Sequence, residues 1–156
     1  MRGSTVVNNK LLPLALLYVD RGREIEGITR LQKLVFLAQK DEGVSGDDGF
    51  EFKPYKYGPY SKELMDVLDT LEDRGYIKKT IQTTRSGNEK YIYSLTEDGQ
   101  ELVRKGLLKK RGGKDLLDKS EDVKKKYNQQ PIERVLRYVY NKYPEYAKNS
   151  ELDIAN

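Results

Sequence analysis

Residues 61–95, SKELMDVLDTLEDRGYIKKTIQTTRSGNEKYIYSL, constrain this chain more than any other stretch. Leu64, Val67, Leu68 and Leu71 recur at the spacing of one helical face. Ser61 precedes that run, where its hydroxyl can accept from a free backbone N–H. Gly75 follows it, where a left-handed residue closes a helix. Two alternating segments rich in Ile, Thr and Tyr come next, 76–84 and 89–95, joined by Arg85-Ser86-Gly87-Asn88. The pattern predicts a helix followed by a two-stranded hairpin.

Two apolar helices are expected before it. Residues 10–21 have almost no polar face, so that helix is the buried centre, capped by Asn8 or Asn9, with Pro13 in its first turn and Gly22 closing it. Residues 29–40 form the second, with Thr29 and Gln32 as a capping box. Ile28, Leu31, Leu34, Val35 and Ala38 share its inner face, widened by Phe36 and Leu37. Three helices and a hairpin are the layout of a winged helix-turn-helix. Yet 41–60 is far longer than the turn of about 3–4 residues that joins the two helices of such a motif. Residues 43–49 read as a loop; Asp47 and Asp48 lack calcium-loop spacing and read as its solvated tip. Phe50 and Phe52 alternate as in a half-buried strand that Pro54 confines to an edge, and Tyr57-Gly58-Pro59-Tyr60 reads as a turn. The phenylalanines seal the gap between helices. Tyr55 and Tyr57, with Lys53 and Lys56 between them, either do the same or form a surface that stacks on bases.

After the hairpin, Thr96 caps a helix from which Leu102, Val103 and Leu107 pack inward. Arg111-Gly112-Gly113 breaks the chain. Residues 114–127 form a lysine-rich helix with Leu116, Val123 and Tyr127 on one side. Pro131 opens a last helix with the stripe Ile132, Val135, Leu136, Val139, Tyr140 and Tyr143, and Pro144 stops it. The stripe either packs on the first helix or supports a homodimer. Residues 145–156 read as a partly ordered tail. The fold expected is mainly α with a small β-hairpin: a winged-helix domain over 8–110, with an insert before its third helix, and a C-terminal helical extension and tail over 111–156.

The chain has no Cys and no His. Disulfides, Cys–His and Ser–His–Asp catalysis and the usual zinc ligand sets are thereby excluded. No motif points to Ser–Lys or paired-carboxylate chemistry, so the expectation is a non-enzymatic module with no catalytic residue, cofactor or metal. Residues 1–9 lack the layout of a signal peptide, and the longest apolar run, 11–19, falls short of the roughly 20 residues that span a bilayer. The expected setting is the cytoplasm, without a membrane partner. Net charge is +4, and the excess lies at 104–126, where ten cations face four acids. That run is either a solvated helix face or a phosphate-binding surface.

Two family resemblances follow. Residues 75–79, GYIKK, and 91–103, YIYSLTEDGQELV, resemble the wing and exit helix of prokaryotic-type winged-helix transcriptional regulators of the MarR and PadR kind, in which a Leu-Thr-x-x-Gly turn closes the wing; Leu95-Thr96-Glu97-Asp98-Gly99 matches it. Over 8–75 the chain resembles the Panacea-type antitoxin domain (SocA-like) and YwgA-like proteins. The matching features are Leu31-Gln32-Lys33-Leu34, the aromatic segment and Tyr57-Gly58-Pro59. That resemblance implies an antitoxin or adaptor acting through protein contacts.

The first expectation is therefore a transcriptional regulator binding duplex DNA. Its contacts would be Lys53, Lys56, Tyr60, Ser61 and Lys62 near the third helix, Lys78, Lys79, Arg85 and Lys90 on the wing, and Lys109, Lys110 and Arg111 beyond it. The alternative is a protein partner, a toxin or another, meeting Tyr55, Tyr57, Glu63, Asp66, Asp69 and Asp73. The acids favour it, because phosphates repel an acidic helix from the major groove.

Overall fold

The computed structural model describes residues 11–44 and 49–150. Helix α1 is Leu12–Gly22, strand β1 Ile25–Glu26, α2 Ile28–Lys40, β2 Lys53–Tyr55, β3 Gly58–Tyr60, α3 Lys62–Asp73, β4 Ile77–Thr83, β5 Glu89–Leu95, α4 Glu97–Lys105, α5 Gly113–Tyr127 and α6 Ile132–Lys142. The chain is mainly helical, with a three-stranded antiparallel sheet ordered β1-β5-β4 and a separate β2-β3 pair. Asn8, Asn9, Asp47 and Asp48 lie outside the described residues.

α1 and α2 form the buried centre, as their composition demands: Leu12, Leu14, Leu16, Leu17, Leu31, Leu34, Phe36 and Leu37 are all enclosed. Two expectations fail here. α1 loses helical geometry at Val19, and Asp20 and Arg21 turn left-handed (φ 56° and 61°) before Gly22, so Gly22 is not a lone cap. α5 explains how the break is tolerated. Glu121 accepts from the Asp20 N–H at 3.1 Å, and the buried Lys124 ammonium donates to the Val19 carbonyl at 2.9 Å. At α2 the Thr29–Gln32 capping box does not form, because the helix begins at Ile28 behind Gly27 with no side-chain cap. Gln32 is buried and is used elsewhere: its amide donates to the Ser61 carbonyl at 3.0 Å and accepts from the Ser61 N–H at 2.9 Å.

The insert seals the core as expected of Phe50 and Phe52, both buried, with Phe52 edge-on to Phe36. Its strands are not where the alternation suggested. They are Lys53–Tyr55 and Gly58–Tyr60, with Pro54 opposite Pro59, so the expected turn at 57–60 is mostly strand. Each proline is tolerated because a two-stranded ribbon leaves both outer edges free of ladder bonds. Gly58 (φ 85°) sits against the Lys33 and Leu136 side chains, where a Cβ would fall 2.9 Å from Lys33 Cε.

α3 forms as expected. Ser61 accepts from the Leu64 N–H at 3.2 Å. At the other end the Gly75 N–H reaches the Glu72 carbonyl and the Tyr76 N–H the Leu71 carbonyl, the paired closure of a helix ending in a left-handed glycine. β4 and β5 pair from Ile77 opposite Leu95 to Thr83 opposite Glu89. β1, too short to be visible in the sequence, adds to β5. Thr96 caps α4, accepting from the Gly99 N–H at 3.0 Å. The apolar faces of α5 and α6 join the same core cluster as α1 and α2. The α6 stripe, which could have served a dimer, has Val135, Leu136, Val139 and Tyr140 buried within this chain, against α2 and β3.

The doubly bonded Gln32 tests this account. Gln32→Leu strands a buried N–H and a buried carbonyl at Ser61, so it lowers unfolding free energy by about 2–4 kcal/mol. Thr29→Ala, which removes no cap, changes stability by less than about 0.5 kcal/mol. Urea titration of both variants checks the contrast.

Candidate functional site

The hairpin and α3 form one face, because the closing turn at Gly75 leads α3 directly into β4. Lys79, Ile81, Tyr91 and Tyr93 share one side of the β4-β5 ladder, with Ile81 opposite Tyr91 and Lys79 opposite Tyr93. α3 lies against that side: Lys79 Nζ is 3.8 Å from the Glu72 carboxylate. The Tyr93 hydroxyl is pushed up to about 12 by burial, with Tyr91, Glu72 and Asp69 adding to the effect. Beyond the core the apolar surface continues outward, since Ile81 is 56% and Tyr91 36% exposed. Along the open side of α3, Asp66, Asp69 and Asp73 are exposed and make no ion pair with any described residue. Glu63 is exposed beside them.

The residues expected to bind DNA are scattered, and several are occupied. On the hairpin, Lys90 pairs with Glu26 at 2.7 Å, and Lys79 pairs with Glu72 and lies 4.9 Å above the Tyr91 ring. Lys78 and Arg85 are exposed. Ser61 is 1% exposed and spends its hydroxyl on the α3 cap, so it is not a surface contact. Tyr60 is half-buried and packs against Tyr55 at 4.9 Å between centroids. Lys53, Tyr55, Tyr60 and Lys62 line one cleft together with Glu51 and Glu63. Tyr57 and Lys56 are exposed at the tip of that ribbon. Lys109, Lys110 and Arg111 are exposed between α4 and α5. Of the lysine-rich run around them, Lys105, Lys114, Lys119 and Lys125 bridge acids one helical turn away, and Lys124 is buried.

Sequence reasoning missed Ile81 and Tyr91 as a surface pair; their alternation and register carried the signal. It also missed two polar centres inside. Lys33 is 2% exposed and donates to the Pro59 carbonyl at 2.8 Å, and burial pulls its ammonium down to about 7. Asp41 accepts from the Tyr138 and Tyr143 hydroxyls, each at 2.5 Å, and pairs with Lys142 at 3.1 Å. Burial alone would raise its carboxyl, but the tyrosine bonds and Lys142 outweigh burial and hold it below its ordinary value. These groups tie α2 to the insert and to α6. No helix among the described residues is long and apolar enough to cross a membrane.

No family model matches this chain, and no curated protein matches it.

Lys33 gives a pH prediction. Its folded value, about 7, lies below the unfolded 10.5, so between the two the unfolded chain binds more protons. Stability consequently rises with pH from about 7 to 10.5 and is flat with respect to Lys33 at lower pH, where both states are protonated. Lys124, drawn down to about 8 chiefly by burial, adds the same sign at the upper end of that window. Denaturant titrations across this range show the rise in the parent chain and a shallower one in Lys33→Met.

Proposed function

We propose that this chain is a non-enzymatic regulatory module of winged-helix type that acts through protein contacts, with α3 and the β4-β5 hairpin as the contact face. One observation carries the reading: three exposed carboxylates of α3, Asp66, Asp69 and Asp73, stand without ion-pair partners among the described residues on the element that a DNA reader would insert into the major groove. Phosphates line both sides of that groove and repel such a face, whereas a cationic protein segment gains from it. The exposed Ile81 and Tyr91 beside it supply apolar area of the kind that protein interfaces bury. The internal pairing of Lys79, Lys90 and the α5 lysines weakens the electrostatic case for DNA.

The Panacea-type resemblance supports an antitoxin or adaptor role. Its two motifs, Leu31-Gln32-Lys33-Leu34 and Tyr57-Gly58-Pro59, lie side by side through the Lys33–Pro59 bond. The absence of cysteine and histidine supports a non-catalytic role, and a cytoplasmic setting fits described helices none of which is long and apolar enough to cross a membrane. Duplex DNA is the second reading. Exposed Lys78 and Arg85 on the hairpin favour it, together with Lys109, Lys110 and Arg111.

Fluorescence anisotropy separates the two, with a labelled Arg/Val-alternating peptide and a labelled random-sequence duplex titrated at low and physiological salt. The peptide binds, and Asp66→Asn/Asp69→Asn/Asp73→Asn weakens it by about tenfold or more, the loss typical of removing a paired charge at an interface. Tight, salt-sensitive duplex binding that disappears in Lys78→Ala/Arg85→Ala, with no peptide binding, overturns this reading in favour of DNA.

A further inference from the structure

β4 is an edge strand of unusual character in this molecule. The sheet order leaves it with β5 on one side and no strand on the other among the described residues. The direction of its unpaired backbone groups follows from one bond. The Gly27 N–H donates to the Tyr91 carbonyl at 2.7 Å, so Tyr91 turns its backbone polar groups toward β1 and away from β4. Backbone direction alternates along a strand, so Glu89 and Tyr93 turn the same way as Tyr91. Their partners are Thr83, Lys79 and Ile81, in the pairs Thr83–Glu89, Lys79–Tyr93 and Ile81–Tyr91. Lys79, Ile81 and Thr83 therefore direct their N–H and C=O groups out of the sheet.

Edges of this kind template a further strand unless something blunts them, typically shortness, proline, or a charge held over the edge. The other edges here are blunted: β1 has two residues, and β2 and β3 each carry a proline. β4 has seven residues and no proline. Its charge nearest the centre, Lys79, is drawn back onto Glu72 and the Tyr91 ring. Thr80, Ile81, Gln82 and Thr83 are all exposed.

We propose that the β4 edge accepts an extended, cationic segment of a partner protein as an added strand, with basic side chains on the face shared by Ile81 and α3, their stems over Ile81 and their heads toward the α3 carboxylates, and β-branched residues on the opposite face beside Thr80 and Gln82. This rests on the protein-binding reading above and specifies how the partner is held. Backbone pairing supplies the affinity and the alternating side chains the selectivity.

The test uses the full chain and the Arg/Val-alternating peptide in three forms: unmodified, N-methylated on its odd residues, and N-methylated on its even residues. A strand bonds each neighbour through alternate residues, so methylation of one set, and only one, weakens binding by about tenfold or more. The Lys79, Ile81 and Thr83 amides, which have no ladder partner among the described residues, exchange hydrogen more slowly in the complex. Ile81→Pro removes an outward N–H while sparing the β4-β5 ladder; it weakens the unmodified peptide with little change in melting temperature. If both methylated peptides bind as well as the parent, and binding still needs Asp66, Asp69 and Asp73, the protein-binding reading stands and strand addition is overturned. If no form binds, both fail. A concentration-dependent dimer that protects the same three amides also overturns the proposal, in favour of self-pairing.

Discussion

The contact between Gln32 and the Ser61 backbone is the one on which the α3–hairpin face depends. α3 begins at Ser61, so whatever holds that residue sets where the helix starts and how it leaves the core. Gln32 satisfies both backbone groups of Ser61 from the middle of α2. Next to it, Lys33 holds the preceding carbonyl partner, Pro59, from the same helix. A buried amide and a buried ammonium are costly to desolvate, and each is tolerated because it meets a backbone group that would otherwise be stranded. The insert is thus fastened to α2 by polar bonds at its C-terminal end and by Phe50 and Phe52 at its N-terminal end. The acidic side of α3 can face outward because the opposite side is fixed in this way.

A comparable exchange operates at the end of α1. Consecutive left-handed Asp20 and Arg21 are strained, since neither residue type adopts that conformation without cost. Helix breaks also free backbone groups that a core cannot leave unbonded. Glu121 and Lys124, one turn apart on α5, meet the Asp20 N–H and the Val19 carbonyl. α5 is therefore more than an appendage to the sheet-bearing part: its side chains complete the helix against which the whole core packs.

The regular elements were legible because each announces itself locally. α3, the hairpin, the α4 cap at Thr96 and the Gly112 break all depend on neighbours in sequence, and all appear close to the expected places. The errors arise where a distant partner decides. Gln32 satisfies the capping-box pattern with Thr29, yet a buried Ser61 backbone offers it two bonds instead of one. Tyr57-Gly58-Pro59-Tyr60 has turn composition, yet the ribbon pairs through Gly58 and Pro59 because Pro54 stands opposite Pro59. β1 has two residues, too few for any period to register, and exists because β5 offers it an edge. The candidate site divides in the same way. The acids of α3 were readable from helical spacing alone, whereas the surface pair Ile81–Tyr91 needed the strand register.

Charge shows why local counting misleads about partners. The run at 104–126 looks strongly basic when its lysines are counted, but most of its acids lie four residues from a lysine, and helical geometry brings such pairs together. Lys105, Lys114, Lys119 and Lys125 are each answered on the same helix, and Lys124 is buried. On α3 only Asp66 has a cation four residues away, Lys62, and the two form no ion pair; Asp69 and Asp73 have no lysine or arginine three or four residues off. A net positive chain thus presents a locally negative helix. Over a screening length of about 8 Å, the local field rather than the total decides what approaches. At the α3–hairpin face that field favours a cation, and the free strand edge beside it favours an extended one.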